Sequence, residues 1–395
     1  MMAVQDSTLD LKTPISMYLP DFTINSCFES YPQDKITLEM LLSHTAGFTH
    51  EAPAGNNYDY CKVSFQEHLN SIPDTWLKFP AGTKYSYSNL GYDLAAQIIE
   101  VACEKSFDDY LSEKVFIPLE MYSTTVNDDK VVSNINRTEG VIPFLKTSHN
   151  AIPMVGAGGV YTNLEDLTKY TQFHMNLGRA GEEQVLDQQY LYEMYRIRSR
   201  NCGLGTYMSK SQDNYFINHN GGGYGFTSTL FLMPEHNLGV VLLCNEDALT
   251  FEFCEFIMNS YIEKTGSKRN AAITELFDSL NNDYFEEPEA FNRSEYYSCN
   301  GETVFQEKWE VYTGTYAIMY PGYNPKWYTK LAFNLGYRPQ KIEILNSNNK
   351  LVFKGDLGES SLREIRKGIF ISEDGEIMDF SKEIPTYRNI KLEKR

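Results

Sequence analysis

The sequence predicts an α+β protein, an antiparallel sheet flanked by helices, followed by a small C-terminal β-barrel. Three observations carry that reading. Apolar residues recur at helical spacing through much of the first two-thirds of the chain. Two short apolar runs, 226–233 and 238–243, flank the turn Pro234-Glu235-His236-Asn237 and read as a buried antiparallel hairpin. Beyond about residue 305 the pattern changes to short alternating stretches separated by turn residues. The expected division is 1–267 for the first domain, 268–304 for a polar, irregular connection and 305–395 for the β domain.

The elements follow in order. Thr37 is a plausible cap for a helix over the Leu38 to His44 stretch, with a stop at Gly47. Ser64-Phe65-Gln66-Glu67 and Ser106-Phe107-Asp108-Asp109 have the shape of capping boxes. Leu90, Leu94, Ile98 and Val101 place a helix just after Asn89. Thr162-Asn163-Leu164-Glu165 opens another that runs toward Gly178. A helix near Thr250 to Lys264 closes the first domain. In the β domain, the stretches at 341–345, 350–353 and 368–371 are the expected strands.

Composition excludes several functions. At 395 residues with 42% apolar and 22% charged content, the chain is an ordinary globular protein. Its net charge of −18 argues against nucleic acid, because phosphate binding needs clustered Lys and Arg. The seven cysteines are scattered with no Cys-x-x-Cys, so they read as buried thiols rather than a disulfide framework or metal site. No cofactor or metal is expected, no apolar run reaches membrane-spanning length, and no signal peptide is visible. Localisation stays open.

The chemistry-bearing residues are Tyr87-Ser88-Asn89 and His219-Asn220-Gly221-Gly222. Taken singly each has a plain alternative. Asn89 could cap the helix that follows, Tyr87 is one of 28 tyrosines, His219 could be an ordinary histidine, and Gly221 to Gly223 a flexible turn. Together with Tyr18-Leu19-Pro20-Asp21-Phe22, Leu41-Leu42-Ser43-His44-Thr45-Ala46-Gly47-Phe48, Phe79-Pro80-Ala81-Gly82-Thr83 and Gly156-Ala157-Gly158-Gly159-Val160-Tyr161, they form an ordered series spanning over two hundred residues.

That series resembles the serine β-lactamase-like superfamily, in its class C-type branch of β-lactamases, D-alanyl-D-alanine peptidases, D-aminopeptidases and esterases. The β domain resembles the lipocalin-like barrel of some members, with Tyr312-Thr313-Gly314-Thr315-Tyr316 as its opening. The resemblance implies a β-lactamase/transpeptidase-like fold and acyl transfer on an amide or ester of a small-molecule or peptide substrate. Tyr87 would relay protons, Asn89 would hold the substrate amide, and His219 would stand where many relatives carry Lys. Asn220, Gly221 and Gly222 would line the substrate strand, with the Gly222 N–H as an oxyanion donor. His44 is read as structural, holding a loop by hydrogen bonds.

The third motif of that family, Ser-x-x-Lys, belongs shortly upstream of Thr13 and would fall before Met1. The Ser-x-x-Lys at Ser347 to Lys350 lies in a turn between two β-runs, and Lys264-Thr265-Gly266 looks like a helix end. A Gly-x-Ser-x-Gly is absent, which disfavours an α/β-hydrolase. The expectation is therefore an N-terminally truncated chain, without its nucleophile helix and two sheet strands. It would be a serine hydrolase inactive on its own, or else a degenerate, ligand-binding relative.

Overall fold

The computed structural model describes residues 1–56, 63–142, 145–146, 152–211, 214–223, 225–246, 248, 250–286, 309–318, 341–347, 350–355 and 358–394. Its first third is built from short helices and ordered loops. After α1 (Met2–Gln5), α2 (Leu38–Leu42) starts at Thr37, whose hydroxyl accepts the Met40 N–H at 3.3 Å. It stops before His44, which takes a left-handed φ of 58°. α3 (Phe65–Ser71) opens with a complete capping box, Ser64 taking the Glu67 N–H and Glu67 taking the Ser64 N–H.

The next helix, α4 (Asn89–Cys103), buries Leu90, Leu94 and Ile98 as their spacing requires, while Val101 stays half exposed. Four further helices follow: α5 (Phe107–Leu111), capped by Ser106, α6 (Asp128–Ser133), α7 (Val155–Gly158) and α8 (Leu164–Met175), capped by Asn163. After these comes α9 (Gln188–Tyr195).

Two small ladders, β1 (Val141–Ile142) with β2 (Leu145–Lys146) and β3 (Arg179–Ala180) with β4 (Glu183–Gln184), decorate this layer. The central sheet is antiparallel in the order β5 (Tyr207–Ser211), β6 (Asn214–Gly223), β7 (Phe226–Met233), β8 (Leu238–Cys244). The expected hairpin is its β7–β8 half, turned by a 3-10 segment at Pro234–His236 and Asn237 at φ 50°. α10 (Thr250–Thr265) covers one face of the sheet through Cys254 and Met258, and Lys264-Thr265-Gly266 is its end, with Gly266 at φ 60°.

Two expectations need correction. The polar stretch from 268 begins with α11 (Ala271–Glu286), which inserts Phe277 and Tyr284 into the core beside Tyr195 and Tyr215. Its polar outer face hid the apolar inner one. The remainder of that stretch, 287–304, lies outside the described residues. Cys27 is disulfide-bonded, to a partner outside the described residues, whereas Cys103, Cys202, Cys244 and Cys254 are free thiols. Separation along the chain does not report separation in space, so spacing could not reveal the bridge.

The C-terminal part is a closed eight-stranded antiparallel barrel. Its strands are β9 (Gly314–Ile318), β10 (Lys341–Ser347), β11 (Lys350–Gly355), β12 (Gly358–Arg366), β13 (Ile369–Ser372), β14 (Ile377–Asp379), β15 (Thr386–Tyr387) and β16 (Ile390–Lys394). β9 pairs with both β10 and β16, so no edge is left open. Tyr316, Ile344, Leu351, Phe370 and Met378 pack together as its core. Ser347 and Lys350 are register partners across a hairpin of the barrel, not residues one turn apart on a helix as the motif requires.

The barrel packs on the helical part through a small apolar cluster, Phe28 and Trp76 against Ile371 and Ile377, with the Arg366 guanidinium 4.8 Å above the Trp76 ring. Beside it the buried Glu376 carboxylate pairs with Lys78 and accepts the Thr49 hydroxyl at 3.3 Å. Gly375, at φ 84°, fits because a Cβ there would lie 2.3 Å from the Lys78 carbonyl oxygen.

Candidate active site

A cavity of about 470 Å³ opens between the start of α4 and the end of β6, lined by Tyr85, Tyr87, Arg200, Tyr207, His219 and Asn220. Tyr87 sits on the segment 85–88, which is laced to the segment 44–50. The Ser86 N–H donates to the His44 carbonyl at 2.8 Å, and the Asn89 N–H donates to the His50 carbonyl at 3.1 Å. Ser88 N–H donates to His44 Nδ1 at 3.1 Å, so that nitrogen is an acceptor and the ring is neutral. Burial first, then the neighbouring His219 and His50, pushes the His44 pKa down to about 3. His44 thus acts as a loop anchor, its ring centroid 4.3 Å from that of Tyr87.

Burial above all, with the Glu51 carboxylate adding to it, holds the Tyr87 phenol above its ordinary pKa. Tyr87 is therefore protonated at neutral pH and not a phenolate. Tyr85 and Tyr207 share a hydroxyl–hydroxyl bond of 2.6 Å, and burial pushes Tyr85 up to about 12.

Asn89 takes a different place from Tyr87. It is the first residue of α4, so the extended geometry that would aim both side chains alike ends at Ser88. It makes no side-chain cap. Its Nδ2 donates to Glu51 Oε1 at 3.2 Å and lies 3.7 Å from Met154 Sδ, behind the cavity. Glu51 is buried, and the same oxygen lies 2.9 Å from His50 Nδ1.

His219 lies on β6 one residue beyond the last β5 partner, Asn218. Among the described residues, His219 to Gly223 is therefore hydrogen-bonded on the β7 side alone, leaving its other edge to the cavity. Burial lowers the His219 pKa against a small opposing effect of the Asn220 carbonyl, 2.7 Å from Nδ1. A neutral imidazole thus stands here, and the fixed positive charge of the cavity comes from Arg200. That residue is held at φ 44° with its guanidinium 5.6 Å over the Tyr85 ring. A Cβ on Gly222 would meet nothing, whereas one on Gly221 would lie 2.6 Å from Ser228 Oγ. Gly222 thus presents its backbone to open space.

Sequence reading missed Tyr85, Arg200 and Tyr207 as lining residues, and Glu51 as the residue behind Asn89. Arg200, in a left-handed pair with Asn201, belongs to no motif. Among the described residues no cluster of His, Cys, Asp and Glu could hold a metal ion, and no helix is long and apolar enough to cross a membrane.

A helical layer on an antiparallel sheet, with Tyr87 just before a helix start and across a cavity from a His-Asn-Gly strand, is a β-lactamase/transpeptidase-like fold. The model of the Beta-lactamase family matches residues 1–255, and the chain belongs to that family. It is 26% identical to the D-alanyl-D-alanine-carboxypeptidase/endopeptidase AmpH of Escherichia coli K12, over 62% of this chain and 67% of the relative. It is 27% identical to an N-acetylmuramyl-L-alanine amidase of Bacillus subtilis, over 62% and 63%. The chain spans between about half and two thirds of the length of the curated relatives it matches. Among solved structures, an octameric penicillin-binding protein homologue from Pyrococcus abyssi superposes on 99% of this chain and 84% of its own, with TM-score 0.57 and 15% identity. A class C β-lactamase variant covers 66% and 78%, with TM-score 0.53 and 19% identity.

Proposed function

We propose that the chain is a serine-hydrolase unit of the β-lactamase-related type, whose parent reaction attacks an amide or ester through an acyl-enzyme. We further propose that these 395 residues bind such a substrate without acylating. The observation that carries this reading is the cavity lining: Tyr87, His219 and Arg200 converge there, and none of the six lining residues among those described is Ser, Thr, Cys or Lys. The names of the two relatives, a D-alanyl-D-alanine peptidase and a muramyl amidase, support an amide of peptide character over a simple ester. Arg200 suits a substrate bearing a carboxylate.

In the parent reaction the protonated Tyr87 passes its proton to the leaving group, and the substrate lies along the open edge of His219 to Gly223. The Gly222 N–H stabilises the oxyanion there. The barrel is of the lipocalin-like kind.

The test is intact-mass analysis after incubation with a fluorescent penicillin. Unmodified protein is expected, and a covalent adduct would overturn the proposal. Non-covalent binding of N-acetyl-D-alanyl-D-alanine, weakened in Tyr87→Phe, supports a competent cleft; unchanged affinity removes Tyr87 from its role. An in-frame Ser-x-x-Lys in the genomic sequence upstream favours the hydrolase, and a stop codon the pure binder.

A further inference from the structure

We infer that the barrel is part of the cleft's machinery, with Asn389 and Glu51 as positioning residues for Tyr87 and Asn89. The inference rests on the reading of the cavity as a substrate site. Asn389 occupies the two-residue turn between β15 and β16. Both turn residues, Arg388 and Asn389, are left-handed, at φ 53° and 65°. A non-glycine pair in that conformation is costly unless its surroundings fix it.

The surroundings do fix it. Asn389 Nδ2 donates to the Glu51 carbonyl oxygen at 2.8 Å, and the Arg388 guanidinium lies 3.2 Å from the Glu376 carboxylate that also holds Lys78 and Thr49. Two barrel turns, at Gly375-Glu376 and at Arg388-Asn389, therefore grip the segment Thr49 to Glu51 at two points.

That segment lies against the cavity-lining Tyr87, the His50 ring centroid 5.4 Å from that of Tyr87. Its carboxylate, on Glu51, fixes the Asn89 amide and faces His50 Nδ1, while the His50 carbonyl receives the Asn89 N–H. Five residues upstream on the same segment, His44 holds Ser86 and Ser88 on either side of Tyr87. A barrel residue thus reaches Asn89 through one buried glutamate, and Tyr87 through the His44 to His50 stretch that leads into it. Nothing comparable links the barrel to the Arg200 side of the cavity among the described contacts, so the effect is confined to one wall.

The test uses the full chain and Asn389→Gly, which keeps the left-handed turn and removes only the side chain. A second variant, Asn389→Asp, keeps shape and turn preference but loses the donor. Amide hydrogen exchange at 86–89 is expected to quicken roughly five- to tenfold in both variants, the effect of losing one hydrogen bond from a coupled set. The β6–β8 sheet should be unchanged. In 15N spectra of the imidazoles, His44 and His50 should move while the remote His174 and His236 stay fixed, a pattern that general loosening does not give.

Unchanged exchange at 86–89, or an Asn389→Asp protein behaving like the wild type, overturns the inference. N-acetyl-D-alanyl-D-alanine is then titrated into each protein. Absence of binding to the wild type defeats the substrate reading alone, because the ligand-free exchange and imidazole shifts still decide whether the barrel holds the wall.

Discussion

Replacing Asp93 tests how the floor of the cleft is held. Asp93 and His68 are fully buried, with Asp93 Oδ2 3.0 Å from His68 Nε2. The other carboxylate oxygen accepts the Gly156 and Ala157 N–H groups at 2.9 and 3.1 Å, and His68 Nδ1 lies 2.7 Å from the Ala54 carbonyl. One carboxylate thus ties α3, α4 and α7 together directly behind Asn89 and Met154.

Asp93→Ala leaves the buried His68 Nε2 and two backbone donors without their carboxylate partner. Breaking a buried pair by deleting one side costs about 3–5 kcal/mol. For a domain of this size that corresponds to a drop of roughly 6–20 °C in Tm. Burial pulls the His68 pKa down, but the hydrogen bond and charge of Asp93 outweigh it and leave the histidine above its ordinary value of 6.5. Burial in turn raises the Asp93 carboxyl, against the pull of His68 and the two N–H groups. A base raised in the folded state contributes its stability in full below the unfolded value and loses it as pH rises through the folded value. The stability gap between wild type and Asp93→Asn should therefore narrow from pH 6 upward. Thermal unfolding by circular dichroism at pH 6, 7.5 and 9 measures both effects. A loss below about 1 kcal/mol in Asp93→Ala, or a gap that widens with pH, refutes the reasoning.

Arg200→Ala should weaken N-acetyl-D-alanyl-D-alanine about ten- to hundredfold and leave its neutral methylamide unaffected, since a hydrogen bond to a charged group is lost; calorimetric titration of both ligands checks this. Gly375→Ala cannot keep its place, because the new Cβ would meet the Lys78 carbonyl at 2.3 Å. Limited proteolysis should then release the barrel from the helical part, and a protease-resistant chain counts against the contact. His44 and His174, with pKa values pushed down to about 3 and about 4 by burial, should show no titration between pH 5.5 and 8 by NMR. Being depressed in the folded state, they contribute stability above pH 6.5 that is lost as pH falls, opposite in sign to His68.

The order of elements and the two site motifs were legible because each is local. Caps at Thr37, Ser64, Ser106 and Asn163 declare themselves within four residues, and the β7–β8 hairpin declares itself by its period. What the sequence could not show joins distant parts. Glu51 lies near His44 in a recognised stretch, but its partners are Asn89 and Asn389. Arg200 enters the cavity through a left-handed pair of residues, of which Asn201 accepts the Tyr284 hydroxyl of α11, from a stretch that composition made look unstructured. Asn89 shows the limit of motif geometry: the sequence places it beside Tyr87, and the helix start turns it toward Glu51.

The bond from Asn389 to Glu51 spans 338 positions of the chain. At about 5–20 residues per second of synthesis, roughly 20–70 s separate the appearance of its two ends at the ribosome. During that interval the wall behind Tyr87 exists as sequence but lacks its downstream support. A nascent chain would therefore carry its recognition motifs long before it can hold them in register, and the cleft would mature only after the barrel has closed.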